Sequence, residues 1–169
     1  IFSIVHQVKK FDIIHTTSYN AAFPAWLAAK IFRKKSVITF HEVWSELWNE
    51  LPYINGFQRF LYASYEAFIL KLKFDTYIAV SDFTKDRLIK SGIPQTKIQR
   101  IYNGISSEEY QITTIANPGT FTFTYFGRLG ISKGLDMIIP AAREFIKKHP
   151  DSIFKCIIPQ LPKSFYKRI

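Results

Sequence analysis

The run Tyr125-Phe126-Gly127-Arg128-Leu129-Gly130-Ile131-Ser132-Lys133-Gly134 gathers residue types suited to holding an anion. A strand pattern ends there, a glycine-bearing loop follows and a helix pattern begins. A helix start offers unpaired N–H groups and the positive end of its dipole to a phosphate. The planar fork of Arg128 matches phosphate oxygens, and Lys133 adds a compact charge. Gly127 would let the backbone approach a ligand without a Cβ in the way. The same residues equally suit an ordinary strand-to-helix turn with solvated cations. There is no Gly-Lys-Ser/Thr triplet and no Gly-x-Gly-x-x-Gly, which sets aside the two common nucleotide fingerprints.

A second candidate is His41-Glu42, placed directly after the β-branched run Ser36–Phe40. In open parallel sheets, ligands bind beyond the carboxyl ends of strands, so a histidine at that point faces the ligand side. Glu42 could orient His41 or meet a hydroxyl, and a solvated loop carboxylate fits as well. His41-Glu42-Val43-Trp44-Ser45 is not a zinc His-Glu-x-x-His, because position 45 is Ser. His6 and His149 read as surface residues, and His15 as packing beside a strand end. Ser81 and Asn103-Gly104 also end strands and are cleft candidates; helix capping and turn formation are the alternatives.

The elements that must position these groups alternate. Strands are expected at 11–15, 36–40, 75–81, 98–102, 121–126 and 153–158. Helices are expected after Asn20 as its cap, over 57–73, over 82–90 and over 135–148. Trp44, Leu47, Trp48 and Leu51 share one face of a further short helix, read as packing or acceptor contact. Alternating strands and helices imply parallel sheets with right-handed crossovers, an α/β Rossmann-like class. Residues 106–119 are polar or small and contain Asn117-Pro118-Gly119, a turn signal. The expected division is a partial first domain over 1–106, a connection over 107–119 and the start of a second domain over 120–169.

Composition narrows the field. With 47% hydrophobic and 17% aromatic residues in 169, the chain has too much apolar surface for disorder. One cysteine, Cys156, excludes an intrachain disulfide framework and a cysteine-rich zinc site. The net charge is +10, with +4 in residues 1–110 and +6 in the much shorter 111–169. That bias favours anionic partners in the second part: a nucleotide diphosphate, a nucleic acid or a membrane surface. The longest apolar stretch, 57–74, is interrupted by Gln58, Arg59, Glu66, Lys71 and Lys73 and falls short of a membrane span. A cytoplasmic protein is the default expectation, with contact at the inner membrane face left open.

Five segments, in order, resemble the family 4 glycosyltransferases of the two-domain GT-B type. Phe11-Asp12-Ile13-Ile14-His15 is similar to the family's D-(V/I)-(I/V)-H strand, and Ser36 to Glu42 to its V-x-T-x-H strand end. Phe74 to Ser81 is similar to A-D-x-(V/I)-I-A-V-S, with Phe74 in place of the usual alanine. Lys97 to Gly104 and Phe126 to Gly134 are similar to K-(V/I)-x-V-I-x-N-G and G-R-L-x-x-x-K-G. The resemblance implies two Rossmann-like domains facing across a cleft, an acceptor side and a nucleotide-sugar side. It implies hexosyl transfer with retention, with no metal and no cofactor beyond the nucleotide-sugar donor. Gly127, Arg128 and Lys133 would bind the donor diphosphate and stabilise charge on the leaving group. His41 would lie near the transferred sugar as the catalytic residue, with Glu42, Ser81, Asn103 and Gly104 lining the cleft. The acceptor would be a carbohydrate or a lipid-linked sugar, in carbohydrate biosynthesis.

The chain departs from the family pattern at both ends. The family's first strand and glycine loop would precede Ile1, the only methionine is Met137, and paired donor-binding glutamates would follow Ile169. Ile157-Ile158-Pro159-Gln160 lacks the Gly-x-Gly often found after that strand. An internal fragment, inactive by itself, is therefore expected. Two other readings are an epimerase-type or non-catalytic GT-B relative and a basic nucleic-acid-binding module. The last is disfavoured, because the aromatics fall on core faces and no nucleic-acid motif occurs.

Overall fold

The computed structural model describes residues 8–51, 54–106, 119–127 and 133–159. They fall into two compact units, one reaching Ser106 and the other holding the residues from Gly119 onward.

In the first unit the order is β1 (Ile13–Thr17), α1 (Ala22–Ile31), β2 (Lys35–Phe40), a 3-10 turn (Ser45–Asn49), α2 (Gly56–Lys71), β3 (Thr76–Ala79), α3 (Asp82–Lys90), a second 3-10 turn (Gln95–Lys97) and β4 (Ile98–Arg100). All four strands are parallel and lie side by side in chain order. The register aligns Thr16, Ile38, Tyr77 and Ile98 in one row across the sheet. All four are buried, so a single face of the sheet carries the core. Each helix adds to the same cluster: Ala22 from α1, Ile69 from α2 and Leu88 from α3, packed with Ile38, Phe40, Tyr77 and Ala79. The period-2 alternation of β2 (Ser36, Ile38 and Phe40 buried; Val37 and Thr39 half-buried) is what a strand with one covered face requires.

Local chemistry explains most boundaries. α2 begins with a capping box, in which the Asn55 side chain accepts from Gln58 N–H while the Gln58 side chain accepts from Asn55 N–H. Asp75 ties the start of β3 to β2 by accepting from both the N–H and the hydroxyl of Ser36, each at 2.8 Å. Burial pushes the Asp75 carboxyl up, but these two hydrogen bonds outweigh it and leave its pKa lowered. One expectation fails at α1. Its N-cap is Ala21, without a side-chain cap, and Ala22 N–H donates to Tyr19 O at 3.0 Å. Tyr19 has φ +112, a left-handed turn that carries Asn20 past the capping position. β4 stops at Arg100 rather than Tyr102; its last ladder bond is Ile101 N–H to Ala79 O.

The second unit is one β-α-β segment: β5 (Thr122–Phe126), α4 (Leu135–Lys148) and β6 (Ile153–Ile157), the strands parallel. Phe123 and Phe154 are register partners with rings 5.0 Å apart, and Phe145 of α4 packs edge-on to Phe123 at 5.2 Å. Aromatic contacts therefore hold this helix on β5 and tie β5 to β6.

Candidate functional site

In the first unit the candidate residues lie at the carboxyl ends of the strands. Phe40 pairs with Ala79, so His41 and Val80-Ser81 leave the sheet side by side. His41 and Glu42 are exposed. The His41 carbonyl accepts from the Thr84 hydroxyl at 3.3 Å. Ser81 caps α3: its hydroxyl oxygen accepts from Thr84 N–H at 3.1 Å, and its oxygen lies 3.0 Å from that of Thr84. The structure thus brings His41, Glu42 and Ser81 to one rim, with the Ser81 side chain engaged in capping. Asn103 and Gly104 follow β4 at the same edge, both exposed. Gly104 has no positive φ, and a Cβ there would meet nothing within 4 Å, so the backbone does not demand glycine. His15 projects from the sheet and is hydrogen-bonded to the Thr39 hydroxyl at 2.8 Å. His149 is an exposed residue whose ring lies 4.5 Å from that of Phe145.

Below the rim lie two charged residues whose roles the sequence reading missed. Glu66, on α2, is 1% exposed. Its Oε1 accepts from the Tyr19 hydroxyl and from Trp44 N–H, both at 2.8 Å. Its Oε2 accepts from Ser45 N–H at 2.5 Å and from the Trp48 indole at 3.0 Å. Arg87, on α3, is 8% exposed and works from the other side. It donates to the carbonyls of Val43 and Trp44 and, at 3.2 Å, to Glu46. The peptide groups of 43–45 thus have their carbonyls held by a guanidinium and their N–H groups by a carboxylate. Burial first, and then the neighbouring Glu66 carboxylate, push the Tyr19 hydroxyl far above its ordinary pKa, so it stays a donor. The signal that could have identified Glu66 was a carboxylate three residues before Ile69, on the buried side of an apolar helix.

Trp44, Trp48 and Tyr62 pack in sequence as tilted ring pairs, at 5.5 and 5.3 Å between ring centres. Of the two readings of that stripe, packing is the one these contacts support. The segment forms a five-residue 3-10 turn, Ser45–Asn49, rather than a longer α-helical face, and Ser45 at φ +43 accompanies its start.

In the second unit, Gly127 ends β5 with φ +157, and its N–H donates to Ile157 O at 3.1 Å. A Cβ built there would sit 3.1 Å from the Tyr125 hydroxyl, so the close approach favours glycine. Lys133 is exposed and stands one residue before Gly134, the left-handed N-cap of α4 at φ +64. The helix start thus offers its free N–H groups beside a lysine, with Asp136 in the first turn as a local opposing charge. Arg128 lies outside the described residues.

Parallel strands joined through helices, with the candidate residues at their carboxyl ends, describe a Rossmann-like α/β class. The match to Glycosyltransferase Family 4 runs over residues 1–109, and the chain belongs to that family. A curated relative, an uncharacterized 42.6 kDa protein in the cps region of Klebsiella pneumoniae, is 28% identical over 149 residues, 83% of this chain and 39% of that protein. Among solved structures, Anabaena Alr3699/HepE in complex with UDP and glucose aligns with a TM-score of 0.72 at 16% identity, covering 99% of this chain and 45% of that one. The same protein with UDP-glucose aligns at 0.63 and 16%, covering 92% of this chain and 51% of that one. At this identity the likeness shows the fold, which is that of the GT-B glycosyltransferases. The chain spans about half the length of these structures or less.

Proposed function

We propose that the protein to which this chain belongs transfers a hexose from a nucleotide-diphosphate sugar to a carbohydrate or lipid-linked acceptor, with retention and without a metal. The supporting observation is the pairing of a Family 4 match with an exposed imidazole, His41, at the carboxyl edge of a parallel sheet. His41 meets the transferred sugar, and Glu42 beside it meets hydroxyls. Arg128, Lys133, the Gly127 turn and the α4 start take the diphosphate, and their positive charge stabilises the departing nucleoside diphosphate. The structures of HepE hold UDP and UDP-glucose, which makes a uridine diphosphate sugar the first donor to test. The chain alone, without the residues that would complete a donor site, is inactive on this reading. The working location is the cytoplasm, with the acceptor met at the inner face of the membrane when it is lipid-linked. Among the described residues, no helix is long and apolar enough to cross a membrane.

The test is calorimetric titration of the full-length protein with UDP-glucose. Arg128→Ala is expected to lose about 1.5–3 kcal/mol of donor affinity, the scale of a hydrogen bond to a charged group. An Arg128→Ala protein that binds as tightly as wild type would remove that residue from the site.

A further inference from the structure

The backbone of residues 41–45 is held by three side chains from two separate helices, α2 and α3. Thr84 takes the His41 carbonyl, Arg87 takes those of Val43 and Trp44, and Glu66 takes the N–H groups of Trp44 and Ser45. Ordinary loop anchoring needs less than this. Burying a carboxylate is costly unless its oxygens are filled, and Glu66 has both oxygens doubly filled at 1% exposure. The ion pairs among the described residues are Arg87–Glu46, Arg100–Asp82 and Lys147–Glu144, so none involves Glu66. The groups facing Glu66 are Tyr19 from the β1–α1 turn and Trp44, Ser45 and Trp48 from the segment after β2. Its hydrogen bonds therefore serve that segment and the strained Tyr19 turn, which has φ +112. Both flank His41.

We propose that Glu66 and Arg87 are positioning residues that grip the 43–45 peptides from opposite sides and set the geometry of His41 and Glu42 at the rim. The proposal rests on the transferase reading for its functional part. The structural part, a carboxylate–guanidinium clamp on one loop, stands without it. The clamp also gives Trp48 a role: its indole N–H reports directly on the Glu66 carboxylate.

Glu66→Gln is the discriminating variant. It keeps the shape, but an amide accepts only through its oxygen, so its NH2 must face two of the four donors. In the full-length protein, Glu66→Gln is expected to lower kcat at least tenfold while leaving UDP affinity within twofold of wild type. In the same protein, the Trp48 indole proton resonance is expected to move from its wild-type position, while that of Trp26, bonded to Lys73 O, stays. Should Glu66→Gln fail to fold, Arg87→Lys tests the other jaw, since one ammonium cannot replace the fork that spans two carbonyls. It is expected to give the same split between kcat and UDP affinity. An unchanged kcat in a folded variant, or kcat and UDP affinity falling together, would overturn the positioning role. A wild-type protein that transfers no sugar from any nucleotide donor would sink the transferase reading. The indole measurement would still decide the clamp: an unmoved Trp48 resonance in Glu66→Gln would refute it.

Discussion

Asp75 shows how one carboxylate joins two strands and carries a pH signature. Its pKa in the folded chain is lowered by the Ser36 hydrogen bonds against the opposing effect of burial. A depressed folded pKa gives stability that is fully present above the unfolded value of about 3.9 and is lost as pH falls through the folded value. Asp75→Asn keeps an acceptor for Ser36 but removes the charge. We expect its melting temperature to lie below that of wild type at neutral pH, with the gap closing as the pH drops below about 4. A gap that stays constant down to pH 2 would contradict the assignment. Individual side chains are also where the sequence alone falls short. The position of His41, Glu42 and Ser81 just past strand ends was legible because strand ends are marked by β-branched runs. Glu66 and Arg87 were not, because their partners lie 18 to 47 residues away in the chain. A separation of that kind becomes a contact only after the sheet order is known.

Among the elements, α3 separates a capping role for Ser81 from a site role. Its oxygen accepts from Thr84 N–H. Replacing an N-cap serine by alanine costs about 0.5–2 kcal/mol, whereas aspartate is a cap of equal rank. Ser81→Ala is therefore expected to lose that much in urea unfolding, and Ser81→Asp to restore it. All three tryptophans, Trp26, Trp44 and Trp48, lie in the first unit, so their fluorescence reports on it selectively. Unaltered stability in Ser81→Ala would return the hydroxyl to the list of ligand contacts. The strands and long helices were readable from period and β-branching, and α4 has the bounds expected for it. The start of α1 was not, because Asn20 has the chemistry of a cap but Tyr19 turns the chain first. The stripe expected at Trp44, Leu47, Trp48 and Leu51 does not form one helical face: Trp44 and Trp48 pack together, but the segment winds as a 3-10 turn over Ser45–Asn49 that ends before Leu51 and is held from outside itself by Glu66 and Arg87.

For the whole molecule, the proposed transfer gives each unit different work. A parallel sheet with its core on one face leaves its carboxyl edge as the place where loops meet ligand, and the first unit places His41 and Glu42 there. In the second unit Gly127 closes the first strand, and Lys133 stands at the start of the helix. The split of charge follows the same division, since the more basic part of the chain is the one expected to meet a diphosphate. Alternation of strands and helices made this α/β class legible from sequence. The order of the sheet was not readable, because a run of β-α units fits several strand orders.

The most direct measurement is sugar transfer from UDP-glucose by the full-length protein, compared between wild type and His41→Ala. Wild type is expected to transfer, and the variant to show a fall in kcat of about 10²–10³, the scale of removing one group that contacts the transition state, with UDP affinity preserved. Transfer by His41→Ala at the wild-type rate would contradict the role proposed for His41.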